Sequence, residues 1–289
     1  MALRPAVDVL PAGAGRVHLV VALRAEAQPI IEHLRLSPVD RGAPFRVFLS
    51  VDERVALAIS GSGRVAAGSA VEHLAGYGDD AGWLNVGIAG HGHRPLGSVV
   101  LAHRIRNRNG GRTWYPPLVF EPPCPTATVQ TVDRACTDFP TDDVYDMEAA
   151  GFYGAAARYA SHELVHCLKV ISDNRDHSAA RLTRKRVGEL VGNNMTVIHR
   201  LVEALAALSS EKRCRRVEPV GLEAILGATH FTVTQQRQLR RALRRWSVLC
   251  PGTDPAPWTT AFRDTNARAM LQRIEAHLDR QAPAFGNLR

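Results

Sequence analysis

No stretch of this 289-residue chain reaches the run of about eighteen apolar residues that a membrane-spanning helix needs, so no membrane partner is expected. The first residues, Met1 to Val17, are broken by Pro5, Asp8, Pro11 and Gly13. A secretory signal needs a continuous apolar segment there, so export is not expected and a cytoplasmic location is. Cysteine is scarce. Cys124, Cys136, Cys167, Cys214 and Cys250 are odd in number and form no C-x-x-C pair, which argues against a disulfide scaffold or a zinc site and for reduced thiols. Internal repeats and low-complexity tracts are absent. Lysine is nearly absent too: almost all the basic residues are arginine, as much a habit of genome composition as a functional choice.

What is present is enough for a core. With 45% hydrophobic and 22% charged residues the chain can bury a large apolar interior, and its length suits one full domain with an appendage. The net charge of +8 is uneven: from Glu211 onward fourteen Lys and Arg stand against seven Asp and Glu. Short apolar runs at Arg16–Leu23, Val55–Ser60, Trp83–Ala89, Ser98–Ile105, Ala127–Val132 and Val165–Ser172 read as strands. Helical patterns start near Ala25 and Arg64 and cover Met147–Tyr159 and Ala179–Leu208. Strands alternating with helices predict an α/β fold, a three-layer α/β/α sandwich around a mixed sheet over 1–210, with a basic, mostly helical extension over 211–289. The Gly- and Pro-rich stretch Asn107–Pro125 is a long loop of the kind that is usually functional or mobile.

Candidate chemistry gathers where the predicted strands end. Glu26 follows the first, Gly61-Ser62-Gly63-Arg64 the second, Asn85 to Gly90 spans the third, and Ser172-Asp173-Asn174 closes the sixth. In α/β sheets the crevice beyond the carboxyl ends of the strands is the usual ligand site. Each residue also has a plain structural reading. Glu26 suits a helix N-terminus, Ser172 and Asp173 suit a cap before Ala179, Met147 suits core filling, and Glu148 suits a solvated helix face.

The motifs taken in order tip the balance. Val21-Ala22-Leu23-Arg24-Ala25-Glu26 resembles the G-A-M-E-E-E opening of the methylthioadenosine/S-adenosylhomocysteine nucleosidases, of the nucleoside phosphorylase superfamily. Ser60 to Ala67 resembles their S-G-I-G-K-V-A-A, and Leu84 to Gly90 their I-N-T-G-S-A-G. Leu96 to Val100 resembles V-G-D-I-V, Asp146 to Ala150 resembles V-E-M-E-A, and Ile171 to Asp176 resembles I-S-D-x-A-D. The resemblance implies cleavage of the N-glycosidic bond of a purine-type nucleoside, without a cofactor or metal, by a homodimer. It assigns Asp173 as the acid at the purine N7, a role usually worth about 10²–10⁴ in rate. Glu26 becomes the base for the attacking water. Glu148 and Met147 bind the ribose, Ser172 steadies the acid, and Ala89, Gly90 and Gly63 line the substrate site.

The sequence also departs from that pattern. Ile88 stands where these nucleosidases have serine, and Lys169 where they have arginine, a point charge in place of a planar fork. Their base-stacking phenylalanine follows a Gly-Asp pair, whereas here Val132-Asp133 is followed by Arg134-Ala135-Cys136. Phosphorylases of the superfamily carry a phosphate loop after the first strand. Here that position holds Glu26, whose charge repels phosphate, so hydrolysis is the expected course and phosphorolysis the alternative. His91-Gly92-His93 lacks a third metal ligand at recognisable spacing. In the extension, Leu239, Leu243 and Trp246 form an apolar stripe flanked by Arg237, Arg240, Arg241, Arg244 and Arg245. The stripe is expected to dock on the enzyme domain. A nucleic-acid or acidic-partner surface on a nucleoside-sensing protein is the rival reading.

Overall fold

The computed structural model describes residues 10, 14–39, 44–108, 110–215, 218–260 and 266–281. The reading of Met1 to Val17 falls largely, and those of the Cys214 and Arg237 side chains wholly, outside the described residues. The chain divides into two compact units, Met1–Arg215 and Arg216–Arg289.

The first unit runs β1 (Val17–Val21), α1 (Arg24–His33), β2 (Ser37–Val39), β3 (Arg46–Leu49), β4 (Val55–Ile59), α2 (Arg64–Leu74), β5 (Gly82–Gly90) and β6 (Val99–Asn107). It continues through β7 (Thr113–Trp114), β8 (Thr126–Thr131), β9 (Val144–Asp146), α3 (Ala149–Ala156), β10 (Val165–Asp173), α4 (Arg184–Gly192) and α5 (Met195–Arg215). The apolar runs became central strands because both faces of the sheet are covered. Along β1, Leu19 and Val21 pack with Ala27 and Ile30 of α1 and with Ile198 and Leu201 of α5. Val20 turns the other way, toward Ala67 and Val71 of α2 and Phe152 of α3. This is the expected three-layer sandwich with a mixed sheet.

Parallel pairs β4–β1–β5–β10 form the centre, and β10 runs antiparallel to β6. From β6 the path continues through β8 to β9, which meets β5 again where Tyr145 faces Gly90. The sheet thus curls back on β5, and the ends of β5, β9 and β10 converge. A bulge in β10 between Ile171 and Asp173 breaks the register just before Asp173 pairs with Gly90. Such an extra residue re-aims the side chains beside it.

Two expectations change. The single helix over Ala179–Leu208 is a 3₁₀ turn at Ala179–Arg181 followed by α4 and α5. Thr183 caps α4 by accepting from the Arg186 amide, and Asn194 ties the break by donating to the carbonyls of Gly97 and Leu190. The long stretch after β6 is anchored. β7 pairs with β6, and Trp114 packs on Tyr153 with ring centroids 5.9 Å apart.

The second unit holds α6 (Leu222–Ala228), α7 (Val233–Leu249), α8 (Pro255–Thr260) and α9 (Ala267–Gln281). Leu239, Leu243 and Trp246 are buried here with Met270, Leu271, Ile274 and Leu278 of α9. The stripe expected to dock on the enzyme domain builds this unit's own core instead. A helical hairpin with its own partner face needs no foreign surface to bury its apolar side.

Candidate active site

Glu26 sits one turn into α1, directly after β1. Its Oε2 accepts from the amides of Ala22 and Leu23 at 3.0 and 2.8 Å, and its Oε1 from the amide of Ile88 at 2.9 Å. The helix-terminus reading holds, since the carboxylate satisfies backbone donors at the start of α1, and the same carboxylate also lines a cavity. Burial pushes its pKa up to about 7, with the backbone donors opposing and Glu148 adding repulsion. That value suits a group exchanging a proton near neutral pH.

Asp173 ends β10, after the bulge. Ser172 Oγ lies 2.5 Å from Asp173 Oδ1 and 3.3 Å from the Ala89 carbonyl oxygen. Burial raises the Asp173 pKa, and the Ser172 hydroxyl partly offsets it. The capping reading fails, because Ser178 caps the turn at Ala179 and Thr183 caps α4. Gly90 allows the approach of β5 to β10. A methyl there would stand 2.6 Å from Asp173 Oδ2 and 2.8 Å from the Phe139 ring.

Glu148 precedes α3 and is buried, not solvated. Its Oε1 accepts from Ser62 Oγ at 3.0 Å and from the Gly63 amide at 2.9 Å. Gly63 has φ +104°, a conformation that favours glycine, which turns its amide toward the carboxylate. Met147 lines the cavity, packs against the Val132–Phe139–Tyr145 cluster, and lies 3.9 Å from Ser62 Oγ.

These residues surround one cavity of about 200 Å³. Every expected site residue except Gly63 lines it: Glu26, Ala89, Gly90, Met147, Glu148, Ser172 and Asp173. Gly63 touches it through Glu148. No Lys, Arg or His side chain is among the cavity-lining residues described. Arg64 is held by Asn107 and Asp133, and Arg24 is exposed. His91, beside the site, has Nδ1 accepting from the amides of His93 and Arg94, which places its proton on Nε2, 3.2 Å from Asp142. Among the described residues no group of three His, Cys, Asp or Glu side chains is arranged for a metal ion.

Sequence reasoning missed several neighbours. Tyr145 lines the cavity opposite Gly90, on a strand of three residues too short to show a period. Phe139, the next aromatic after Asp133, lies beside Gly90 and is not among the cavity-lining residues described. It stands six residues further on, in a left-handed conformation at φ +44°, with its ring 5.8 Å from that of Tyr145. Its carbonyl accepts from Arg175 Nη2, which fixes the turn over Asp173. Asp146 and Lys169 form a fully buried ion pair of 2.7 Å beneath the site.

No protein-family model matches this sequence, and none of the curated proteins is similar to it in sequence. Solved structures are similar in fold. The 5′-methylthioadenosine nucleosidase of Arabidopsis thaliana, in apo form, superimposes with a TM-score of 0.57 at 18% identity, over 68% of this chain and 99% of that one. The 5′-methylthioadenosine/S-adenosylhomocysteine nucleosidase of S. pneumoniae, with a transition-state inhibitor, gives 0.54 at 22% identity, over 66% and 99%. Futalosine hydrolase of Helicobacter pylori gives 0.55 at 13% identity, over 65% and 97%. The chain therefore has the nucleoside phosphorylase/hydrolase fold of these nucleosidases.

Proposed function

We propose that this protein is a nucleosidase that hydrolyses the N-glycosidic bond of a purine-type nucleoside, of the methylthioadenosine or adenosylhomocysteine kind. The observation that carries the reading is the cavity itself, where Glu26, Glu148 and Asp173 arrive from three different elements with no cationic side chain among the lining residues described. Breaking a ribosyl C–N bond builds positive charge on the sugar and negative charge on the base. Carboxylates in a low-dielectric site stabilise the first. Asp173, whose pKa burial raises, answers the second by donating its proton to the purine N7. Glu26 takes the proton of the attacking water, and Glu148 accepts from the ribose hydroxyls as a charged acceptor. Met147 lies against the sugar face, Ser172 orients Asp173, and the backbone of Ala89 and Gly90 lines the floor. Tyr145, which lines the cavity, offers aromatic surface for a planar base.

Hydrolysis is favoured over phosphorolysis because a phosphate dianion would enter a site of like charge with no arginine or lysine among the lining residues described. The sensing alternative, with a nucleic-acid-binding tail, is weakened by pairing within the second unit: Arg240 meets Glu218, and Arg245 meets Glu275 and Asp279. The family resemblance supports a cytoplasmic homodimer, which sedimentation of the intact chain tests. The functional reading is tested by Asp173→Asn in a folded chain, where a wild-type turnover number would defeat it.

A further inference from the structure

Lys169 is a buried cation that the proposed reaction does not use. It is one of three lysines in the chain, and its side chain on β10 is wholly shielded from solvent. Toward β9, its ammonium pairs with Asp146 Oδ2 at 2.7 Å. The same oxygen accepts from the amides of Glu148 and Ala149 at 3.1 and 2.7 Å. Asp146 Oδ1 accepts from Thr131 Oγ1, which itself accepts from the Ala150 amide. The lysine thus anchors the turn from which Met147 and Glu148 project.

Toward α1, only Gly87 separates Lys169 from Glu26. A methyl on Gly87 would lie 3.5 Å from Lys169 Nζ and 3.2 Å from Glu26 Oε1. The titratable groups facing this ammonium are Asp146 from β9, Glu148 ahead of α3, Cys167 from its own strand and Glu26 from α1. Three are carboxylates, and Lys169 is the cation buried among them. Dehydrating an ammonium often costs more than one ion pair returns, and an apolar side chain of similar length would fill the space. A charge retained here needs an electrostatic reason.

We propose that Lys169 is a positioning residue that, through Asp146 and across Gly87, holds Glu148 in place and keeps Glu26 available as a carboxylate. Burial alone would lower the lysine's own pKa, yet Asp146 and Glu148 hold it above the ordinary lysine value, so it stays charged at any pH the enzyme meets. Its field opposes the repulsion that Glu148 imposes on Glu26. The kinetic consequence rests on the nucleosidase reading, while the electrostatic one stands without it.

The test is a pH titration of the intact chain carrying ¹³C-labelled glutamate, with the Glu26 signal identified by its loss in Glu26→Gln. Lys169→Met and the doubly neutral Lys169→Met/Asp146→Asn are expected to move the Glu26 midpoint upward, by up to about one pH unit. The double variant leaves no uncompensated charge if the single one fails to fold. Lys169→Arg should restore the wild-type midpoint. Gly87→Ala, which wedges a methyl between the two groups, should raise it in the same direction. With a nucleoside substrate, the acidic limb of kcat should move with the midpoint and turnover at pH 7 should fall with the carboxylate fraction, about fivefold for a shift of one unit from a midpoint near 7. An unmoved Glu26 midpoint in the folded double variant and in Gly87→Ala overturns the proposal. Failure of the wild-type chain to release any base overturns the nucleosidase reading alone, since the titration still decides the role of Lys169.

Discussion

Replacing Glu26 by glutamine tests the site through stability as well as rate, with the sign fixed in advance. In the folded chain burial lifts the Glu26 pKa from an ordinary 4.5 to about 7. Between those values the folded state holds a proton that the unfolded state has released, so wild-type stability falls as pH rises through the window. Below it both states are protonated and no penalty exists. Above it the full penalty applies, about 3 kcal/mol from a shift of some two and a half units at 1.36 kcal/mol each. A glutamine side chain does not titrate. It also loses acceptor capacity toward the amides of Ala22, Leu23 and Ile88, a constant cost of about 1–3 kcal/mol at every pH. The variant should therefore be the less stable protein near pH 4 and should gain on wild type by about 3 kcal/mol by pH 8. Hydrogen exchange of peptides from β1 and β5, read at several pH values, reports this unit directly. A stability difference that stays flat from pH 4 to pH 8 would refute the burial argument. The same variant should slow hydrolysis strongly while keeping nucleoside affinity, if Glu26 serves the water and not the sugar as proposed. If affinity collapses while the residual rate is unchanged, Glu26 serves the ribose or the fold.

Other outcomes follow from the same geometry. Asp173→Asn should keep the fold and lower kcat by about 10²-fold or more, measured as base release at saturating nucleoside. Gly90→Ala should lower kcat and melting temperature together, because its methyl would meet Asp173 and Phe139 at under 3 Å; near wild-type values for both would show that β5 and β10 part easily. Glu148→Gln should raise KM for ribosides more than for 2′-deoxyribosides, and equal effects would remove Glu148 from the ribose hydroxyls. Leu243→Ala should cost the second unit about 2–5 kcal/mol, as expected for a fully buried leucine. A change within a few tenths would show that α7 and α9 do not share a core. Intact chain should bind nucleic acid weakly, and tight binding with a steep salt dependence would revive the basic-face reading.

Much of the fold was legible because its strands are buried on both faces. Continuous runs such as Val17–Val21 and Val165–Asp173 announce themselves without a period, and each ends where a site residue stands. The candidate site residues were singled out through motif order, since any one of them has an ordinary structural use, and Glu26 both accepts from backbone amides at the start of α1 and lines the cavity. What stayed hidden was short or long-range. The hairpin of β2 and β3 and the three-residue β9 carry too few residues for a pattern. Phe139 comes to lie beside Gly90 through a left-handed backbone conformation, which spacing from Asp133 does not reveal. Lys169 read as a departure from a familiar pattern, and its pairing with Asp146 depends on strands distant in sequence. The apolar stripe of α7 was visible, but its partner α9 comes only after α8 in the chain, and amphipathicity alone does not say which face it meets.

The central claim is most directly tested by incubating the intact chain with methylthioadenosine, adenosine or inosine, with and without phosphate, and following the products by chromatography. The account predicts free base together with free sugar from at least one of them, at a rate indifferent to phosphate. No base from any of the three, or base that appears only with phosphate and alongside a sugar 1-phosphate, would contradict it.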